Sequence, residues 1–414
     1  MLKQKILLTI LIVFFVSCVQ TPKMEIPLTE TPLEFNEAIT KLANHLYTQL
    51  QNKGIDDQVT LIYIPFVHTD SGQVLQVSLD IRNLFFKEVK KFKNFKLAKS
   101  SRANNAKADY IIDGIIEYEY WQSNQSRNDF NVKKSYHISA MIYDAKTYKK
   151  IADEDIWISD KKLNTVATPS SKDNPTYVKG KNLQALIKAI KETPRGEIIS
   201  SIYSNFLETK SMLVEAETFY DNGEYQKARH LYETIAQRPD GKLVATYGGQ
   251  YATYIQLDME KEAKEAYGKM VKVGFENDSL PVKIIFGSSS TEFINDQDTR
   301  RQYTLLLEKS GLYFKHNRNR CAYILGHASK SAPSKKFNCN LSRKRAEAIR
   351  DKIIDIYPRL YKKLRSIGKG AEECKVCSIP DSDDNVIDRR VEFKVVACDS
   401  DIWRFRQEKE CSVE

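Results

Sequence analysis

The sequence lacks the motifs that commonly carry catalysis. Its six histidines are scattered over 414 residues, and no HExxH, GxSxG or cysteine–histidine arrangement is recognisable among them. The first 160 residues also contain no phosphate-cradling GxxxxGK loop, since Gly72 stands alone. An enzyme is therefore the least favoured function class, and we expect neither a cofactor nor a metal site.

Long apolar runs are scarce as well. Only residues 6–16 form one; Thr9 interrupts it, and Lys3 and Lys5 precede it. The run is shorter than the roughly 20 residues that span a bilayer, so we predict a signal peptide over residues 1–17. Its end, Phe15-Val16-Ser17-Cys18, resembles the lipobox of bacterial lipoproteins.

The lipobox resemblance implies that Cys18 takes a diacylglycerol and a palmitate. Residues 18–34, which contain prolines and threonines, would then be a tether. Val19 stands where an aspartate would indicate retention at the inner membrane, which favours the outer membrane, with the protein facing the periplasm. The alternative is an ordinary secretory signal with an incidental cysteine.

Cysteine is absent between Cys18 and Cys321. The six remaining cysteines lie close to the C-terminus, and an even number confined to one segment of an exported chain predicts disulfides. The CxxC could also be a redox or zinc motif, but no second CxxC or histidine pair completes a zinc site. The disulfide candidates are Cys321, Cys339, Cys374, Cys377, Cys398 and Cys411.

Alternating helix and strand patterns predict an α/β sandwich over residues 35–160. The stretches "VTLIYIPF", "ADYIIDGIIEYE" and "MIYDAKTYKKIADEDI" resemble FlgO- and CsgG-like lipoprotein domains. Members of those families serve in flagellar-base, curli-secretion and peptidoglycan-synthase-activator assemblies, so the resemblance implies a protein-docking module. The predicted helices cover residues 42–50, 77–89 and an Ala/Asn-rich stretch near residue 104, and the strands cover 59–66, 95–97, 110–116, 136–143 and 151–158.

Residues 161–182 are rich in Ser, Thr, Pro and Lys, which predicts a linker or a long surface loop. Residues 183–276 are helical. Within them Ala263 and Tyr267 repeat Ala228 and Tyr232 at an offset of 35, which resembles the tetratricopeptide repeat. Because two units are fewer than a stable array normally needs, we expect the helices of residues 183–207 to complete the array.

A βαβαβ order is predicted for residues 280–398, with residues 399–414 as a tail. The motifs "GH" at Gly326, "N..LS..RA" from Asn338 and "RRVEF" from Arg389 resemble the OmpA-like peptidoglycan-binding domain. The predicted strands cover residues 282–286, 321–325 and 390–396, and the helices cover 297–309 and 341–356. The complete chain is thus expected to be a multidomain α+β protein.

The OmpA-like resemblance implies a pocket for the free amino acid of a peptidoglycan stem. Arg345 would hold the carboxylate through its planar fork, although it could instead be a solvated helix charge. Ser329 takes the place of the aspartate that meets the ammonium group, which puts standard stem recognition in doubt. The remaining expected pocket residues are His327, Asn338, Ser342 and Arg389.

Positive charge is concentrated between residues 311 and 370, where 16 Lys/Arg and three Asp/Glu give 16 − 3 = +13, against +10 for the whole chain. Such a patch attracts polyanions, and outside the inner membrane we expect peptidoglycan rather than nucleic acid. The favoured hypothesis is a lipoprotein that binds peptidoglycan and recruits an envelope protein complex. The alternative is an assembly factor of a secretion or motility apparatus whose OmpA-like domain no longer binds peptidoglycan.

Overall fold

The structure is a computed structural model of a mixed α+β chain with two sheets. Cys18, Cys374 and Cys377 lie outside the residues that it describes, as do the predicted helix near residue 104 and the CxxC motif. The described residues are 31–101, 107–122, 132–160, 163–177, 180–283, 286, 290–292, 297–330, 334–373 and 388–412.

The strands and helices are numbered along the chain. The strands are β1 (Val59–Tyr63), β2 (Val67–His68), β3 (Phe95–Lys99), β4 (Tyr110–Gln122), β5 (Val132–Asp144), β6 (Lys150–Ile158), β7 (Ser279–Val282), β8 (Arg320–Gly326), β9 (Leu364–Gly368) and β10 (Val391–Ala397). The helices are α1 (Phe35–Gln51), α2 (Gln76–Glu88), α3 (Pro169–Asp173), α4 (Lys181–Lys191), α5 (Ser201–Ser204), α6 (Leu207–Asp221), α7 (Tyr225–Gln237), α8 (Val244–Gln256), α9 (Glu260–Glu276), α10 (Gln297–His316), α11 (Lys335–Ile356) and α12 (Asp401–Arg404).

The N-terminal sheet has the strand order β3-β1-β4-β5-β6, with β2 beside β4. β1 pairs in parallel with β3 and β4, whereas β4, β5 and β6 are antiparallel. Side chains alternate between the two faces: Ile112 and Ile116 pack with α1 and α2, and Ile111 and Ile115 pack on the opposite side. All the predicted strands of this segment are present, and β4 and β5 are longer than predicted.

Helices α4 and α5 cover the second face of this sheet, so the expectation that residues 183–207 complete the repeat array is wrong. Leu186 and Ile190 of α4 and Tyr203 of α5 share a core with Ile111 and Met141 of the sheet. A sheet that is apolar on both faces needs a helical layer on each side. The N-terminal unit is therefore a three-layer structure that extends beyond residue 160.

The segment that composition predicts to be a linker is packed into the molecule, which corrects that prediction for residues 163–177. Thr176 forms a bridge with Val282, and Lys283 donates its backbone N–H to the Pro175 carbonyl at 2.9 Å. Ser170 and other polar residues of this segment are buried. Their hydroxyl and amide groups find hydrogen-bond partners, which makes burial of polar sequence possible.

Helices α6 to α9 form two antiparallel pairs at the predicted positions. Ala216 of α6 and Ala228 of α7 are both fully buried, so the helices cross closely. Gly249 of α8 leaves room for the ring of Tyr232, because a Cβ there would lie 2.3 Å from that ring. One face of α9, the last of these helices, is buried against the C-terminal domain: its Phe275 shares a core with α10 and the C-terminal sheet.

The C-terminal sheet has the order β7-β10-β8-β9. β10 is antiparallel to β7 and β8, and β9 is parallel to β8. Helices α10 and α11 cover one face, where Ile324 and Phe393 are buried. The structure differs from the predicted βαβαβ order by β9, a short basic strand with only Leu364 and Ile367 as large apolar residues, so the sequence carries little strand signal there.

The residues after β10 cover the opposite face of this sheet rather than forming a free tail. Trp403 packs with Tyr323 and Cys321, and its ring lies 3.9 Å from the Arg365 guanidinium. Two disulfides, Cys321–Cys398 and Cys339–Cys411, join four of the six predicted cysteines.

Candidate ligand site around Arg345

Two glycines bring helix α11 unusually close to the C-terminal sheet. A Cβ on Gly326, the last residue of β8, would lie 1.9 Å from the carbonyl oxygen of Ser342. A Cβ on Gly368, at the end of β9, would lie 2.8 Å from the carbonyl oxygen of Cys339. The predicted Gly-His turn is therefore placed directly against the helix that carries the motif residues.

The helix begins earlier than the sequence predicts. Ser334 caps it, its side chain accepting a hydrogen bond from the Phe337 N–H at 3.1 Å. This corrects the expected start at residue 341: Asn338 and Cys339 belong to the first turns of α11, and Ser342 lies further along. Asn338, Ser342 and Arg345 are four and three residues apart, a spacing that puts them on one face. All three are buried.

Arg345 is the largest fully buried side chain at this site, only 1 % exposed. Its Nε donates to the carbonyl of Ser290 at 3.0 Å, and its Nη1 donates to the carbonyl of His327 at 3.3 Å. The guanidinium carbon lies 5.0 Å from the ring centre of Phe286. It is therefore not a solvated helix charge, which was the alternative considered for it.

The Gly-His turn is held by backbone hydrogen bonds on both sides. His327 N–H donates to the Arg390 carbonyl at 2.9 Å, and Ala328 N–H donates to the Gly370 carbonyl at 2.8 Å. His327 is fully buried and Ser329 is 7 % exposed. The Glu373 carboxylate lies close to the imidazole, with an oxygen 3.9 Å from Nδ1.

Two buried polar side chains of α11, those of Ser342 and Asn338, differ in their hydrogen bonding. Ser342 Oγ accepts from the Gly370 N–H at 2.9 Å and donates to the Cys339 carbonyl at 2.9 Å, so this hydroxyl fixes the loop after β9 to the helix. The buried Oδ1 of Asn338, in contrast, accepts no hydrogen bond within the described chain. A buried acceptor without a donor is costly, so a ligand N–H or O–H would be favourable here.

The arginine pair before β10 splits between two environments. Arg389 is partly exposed, whereas Arg390 is only 2 % exposed. Arg390 Nε lies 2.6 Å from the Glu392 carboxylate, and its Nη2 donates to the Glu373 carbonyl at 3.2 Å. Asp388 is fully buried. The sequence singled out Arg389, but the buried member of the pair is Arg390; strand alternation puts Arg390 on the face of Glu392, and this possible ion pair was the signal that could have indicated it.

Acidic residues from outside the basic stretch neutralise part of it. Glu408 of the C-terminal segment lies 2.7 Å from Lys369 and 2.5 Å from Lys394. Glu410 lies 3.7 Å from Arg343, and Glu372 and Glu373 pair in the same way with Lys335 and Lys369. The charge available to a polyanion is therefore smaller than the count between residues 311 and 370 indicates.

Solved structures of bacterial envelope proteins resemble part of this chain. One is a peptidoglycan-associated lipoprotein from Burkholderia pseudomallei, which is 17% identical to this chain. The match covers 30% of this chain and 93% of the lipoprotein chain, with a TM-score of 0.24. The periplasmic domain of MotB from Helicobacter pylori is 18% identical over 31% of this chain and 78% of its own, with a TM-score of 0.23. The cell wall anchor of the T6SS from Pseudomonas aeruginosa is 17% identical over 29% of this chain and 80% of its own, also with a TM-score of 0.23.

These TM-scores are too low to carry an argument about fold or function. No protein-family model matches the chain, and no curated protein matches it. Among the helices that the structure describes, none is both long enough and apolar enough to cross a membrane.

Proposed function

We propose that this chain is a non-enzymatic lipoprotein of the bacterial outer membrane and that its C-terminal domain, which resembles OmpA-like domains, binds peptidoglycan. On this proposal Cys18 carries the lipid, and the N-terminal domain and the repeat-like helix pairs recruit an envelope protein complex. Residues 31–283 supply the docking surfaces, and Arg345 supplies the contact with the cell wall.

The observation that carries the proposal is the environment of Arg345. A guanidinium that is almost fully buried, on the same helix face as the unsatisfied Asn338 Oδ1, is arranged for a ligand that has both a carboxylate and a donor group. A peptidoglycan stem peptide has both, in its carboxylates and its amides. Arginine can bind a carboxylate through two parallel N–H donors, which lysine cannot do.

The ammonium group of a diamino acid in the stem would need a different partner here. Ser329 offers only a hydroxyl, so it cannot balance a positive charge. The carboxylate of Glu373, half exposed and close to His327, is an acid beside the turn. It is also 3.4 Å from Lys369, which reduces the charge that it can offer. We therefore expect binding weaker than a dedicated carboxylate would give.

A pull-down with purified sacculi tests the proposal. The mature chain should sediment with sacculi at physiological salt, and Arg345→Ala should abolish this. Arg345→Lys keeps the charge but not the fork and should also bind weakly. Arg343→Ala is the matched control, because Arg343 lies on the same helix, has a 46% exposed side chain and bonds to Asn340 at 3.0 Å; this variant should bind nearly as well as the parent.

A second candidate function is an assembly factor whose C-terminal domain does not bind peptidoglycan. It is favoured by two observations: Ser329 occupies the position of the expected acid, and the carbonyls of Ser290 and His327 already accept hydrogen bonds from Arg345. Undiminished sedimentation of a folded Arg345→Ala variant would exclude the proposed pocket. A parent chain that does not sediment at all would favour the assembly factor.

A further inference from the structure

A cavity of about 700 Å³ lies between the N-terminal unit and the helix pairs, far along the chain from Arg345. Its walls come from the segment after β1, from the packed connection, from α4 and α6, and from the ends of α8 and α9. Cavities of roughly 300–1,000 Å³ between domains are typical small-molecule sites. The function proposed above does not use this cavity.

Most of the cavity wall is hydrocarbon. Val67 and Val74 come from the N-terminal unit, Leu186 comes from α4, and Phe206 and Val244 come from the two sides of the helix pairs. Such a wall excludes water from the body of a ligand and favours an apolar chain or ring. The polar groups that remain therefore decide which head group fits.

Helix α6 presents one face to the cavity. Lys210, Leu213, Val214 and Glu217 follow the three- and four-residue spacing of a helix face, and all four line the cavity. The ammonium of Lys210 is already neutralised by the fully buried carboxylate of Asp113, 2.6 Å away. It is therefore not available to attract an anion.

Glu217 is different, because no hydrogen bond or ion pair joins its carboxylate to another residue within the described chain. Its side chain is partly exposed and lines the cavity. Burial raises the pKa of Glu217 to about 8; nearby Asp221 adds to the rise and Lys210 opposes it. An ionised carboxylate in such a place is destabilised until a cation approaches it.

Other charged groups at the cavity do not change this balance. Asp278 is paired with Arg320, and Glu276 lies 3.7 Å from Lys272. Lys181 is exposed at the rim. Glu217 is thus the uncompensated charge among the inner lining residues that the structure describes.

We propose that this cavity binds an organic cation with an apolar body, with the ammonium or guanidinium group on Glu217 and the hydrocarbon against the valine and leucine walls. The chemistry is that of a primary amine amphiphile. When Glu217 is ionised, a hydroxyl head group would donate one hydrogen bond but leave its charge uncompensated, and a carboxylate head group would meet it with like charge.

Calorimetric titration of the full mature chain at about pH 9, where Glu217 is ionised and a primary amine is still protonated, tests this with three probes that share one hydrocarbon body: hexylammonium, hexanol and hexanoate. Hexylammonium should bind at least about tenfold more tightly than hexanol, because only the cation compensates the charge of the carboxylate. Hexanoate should bind most weakly. Equal binding of the three probes, or a preference for hexanoate, would overturn the proposal.

Two variants test the contribution of the head group and that of the apolar cavity separately. Glu217→Gln should remove the preference for hexylammonium and leave hexanol binding unchanged; this variant should fold, because it removes an uncompensated carboxylate. Leu213→Trp fills the cavity and should reduce binding of both probes. Glu215→Gln is the control, since Glu215 lies on the same helix but lines a different groove. A Glu217→Gln variant that keeps the full preference for the cation would place binding elsewhere.

Discussion

Cys411 is joined by a disulfide to Cys339, so the C-terminal segment is fastened to the same helix that carries Arg345. The Cys411 N–H also donates to the Gly368 carbonyl at 2.8 Å. The C-terminal segment therefore joins β9 to α11. This is the region in which Gly326 and Gly368 allow the sheet and the helix to lie close together.

The disulfides predict a thiol count. Four of the six cysteines that follow Cys18 are paired in the structure, so the denatured, non-reduced mature chain with Cys18 lipidated should show no more than 6 − 4 = 2 free thiols. The sequence predicts that Cys374 and Cys377 are joined to each other or hold their loop to the sheet; because the other four cysteines pair among themselves, only the first arrangement would lower the count to zero. Four or more free thiols would revive a metal-binding role for these cysteines.

Removal of the Cys339–Cys411 disulfide should also lower stability. The double variant Cys339→Ser/Cys411→Ser should lose about 2–5 kcal/mol of unfolding free energy in urea, the usual effect of losing a native disulfide. Addition of a reductant to the parent serves as the control and should give a loss at least as large, because it also breaks Cys321–Cys398. A variant as stable as the parent would show that this disulfide does not stabilise the fold.

Glu408 should stabilise the protein through its two lysines. Its carboxylate is buried, which opposes ionisation, but hydrogen bonds from Lys369 and Lys394 outweigh burial and lower its pKa. A lowered carboxyl pKa gives stability that is present above about pH 4.3 and is lost as the pH falls below it. Glu408→Gln should therefore cost roughly 1–3 kcal/mol at neutral pH, and this difference should shrink in acid.

Urea unfolding at about pH 7 and about pH 3 measures this difference. Glu410→Gln is the matched control, because Glu410 has a 44% exposed side chain and lies 3.7 Å from Arg343. Exposed ion pairs contribute little, so this variant should match the parent at both pH values. A cost of Glu408→Gln that is equal at both pH values would contradict the assigned pairing.

His137 forms the centre of a charged network on the N-terminal sheet. Its Nε2 lies 2.8 Å from Asp155 and its Nδ1 lies 3.3 Å from Glu119. Although Glu117, Glu119 and His137 have the spacing of metal ligands, the Lys191 ammonium lies 2.7 Å from Glu117. The carboxylates are thus already neutralised, and the arrangement is that of an ion-pair network.

This network predicts a pH dependence of stability. Burial opposes protonation of His137, but hydrogen bonds to Asp155 and Glu119 outweigh it and raise its pKa to about 9. A raised histidine pKa gives stability that is fully present below about pH 6.5 and is lost as the pH rises to about 9. His137→Gln should cost about 1–3 kcal/mol near pH 6 and little above pH 9. A cost that grows with pH would refute the assignment.

Ser329→Asp should strengthen sacculus binding if the stem ends in a diamino acid. The new carboxylate would meet the ammonium group beside the Gly-His turn, and one charge-assisted hydrogen bond contributes roughly 1.5–3 kcal/mol, or about tenfold or more in affinity. Ser329→Asn is the control, because it has nearly the same shape without the charge. Equal affinity of the two variants for sacculi would mean that no ammonium group lies there.

Mass spectrometry of the mature N-terminus tests the lipid anchor. We expect a diacylglyceryl cysteine at Cys18 and no residues before it. Cys18→Ser should leave the chain unlipidated and release it from the membrane fraction. An unmodified mature chain that begins at another residue would rule out the lipoprotein proposal, but it would leave the pocket around Arg345 untouched.

Local patterns in the sequence determined most of the elements. The spacing of apolar residues predicts α2, the strands from β4 to β6 and the helix pairs. This works because the buried face of a helix or strand is formed by residues only two to four positions apart. The grouping of six cysteines near the C-terminus predicts disulfides, and four of these cysteines form two disulfides in the structure. The motif from Asn338 to Arg345 predicts pocket residues, but only the structure shows that α11 begins early enough to place Asn338 on the same helix as Ser342 and Arg345.

Only the tertiary structure decided how distant parts combine. The helices of residues 183–207 cover the N-terminal sheet instead of extending the repeats. The polar connection of residues 163–177 is largely buried, and β9 pairs with β8 at the edge of the C-terminal sheet. Distant acids also reduce the charge of the basic stretch. Glu408 pairs with Lys369 and Glu410 pairs with Arg343, and in both pairs the acid lies far along the chain from its partner. Burial and charge pairing depend on which surfaces meet in space, and that is fixed by non-local packing rather than by the order of residues.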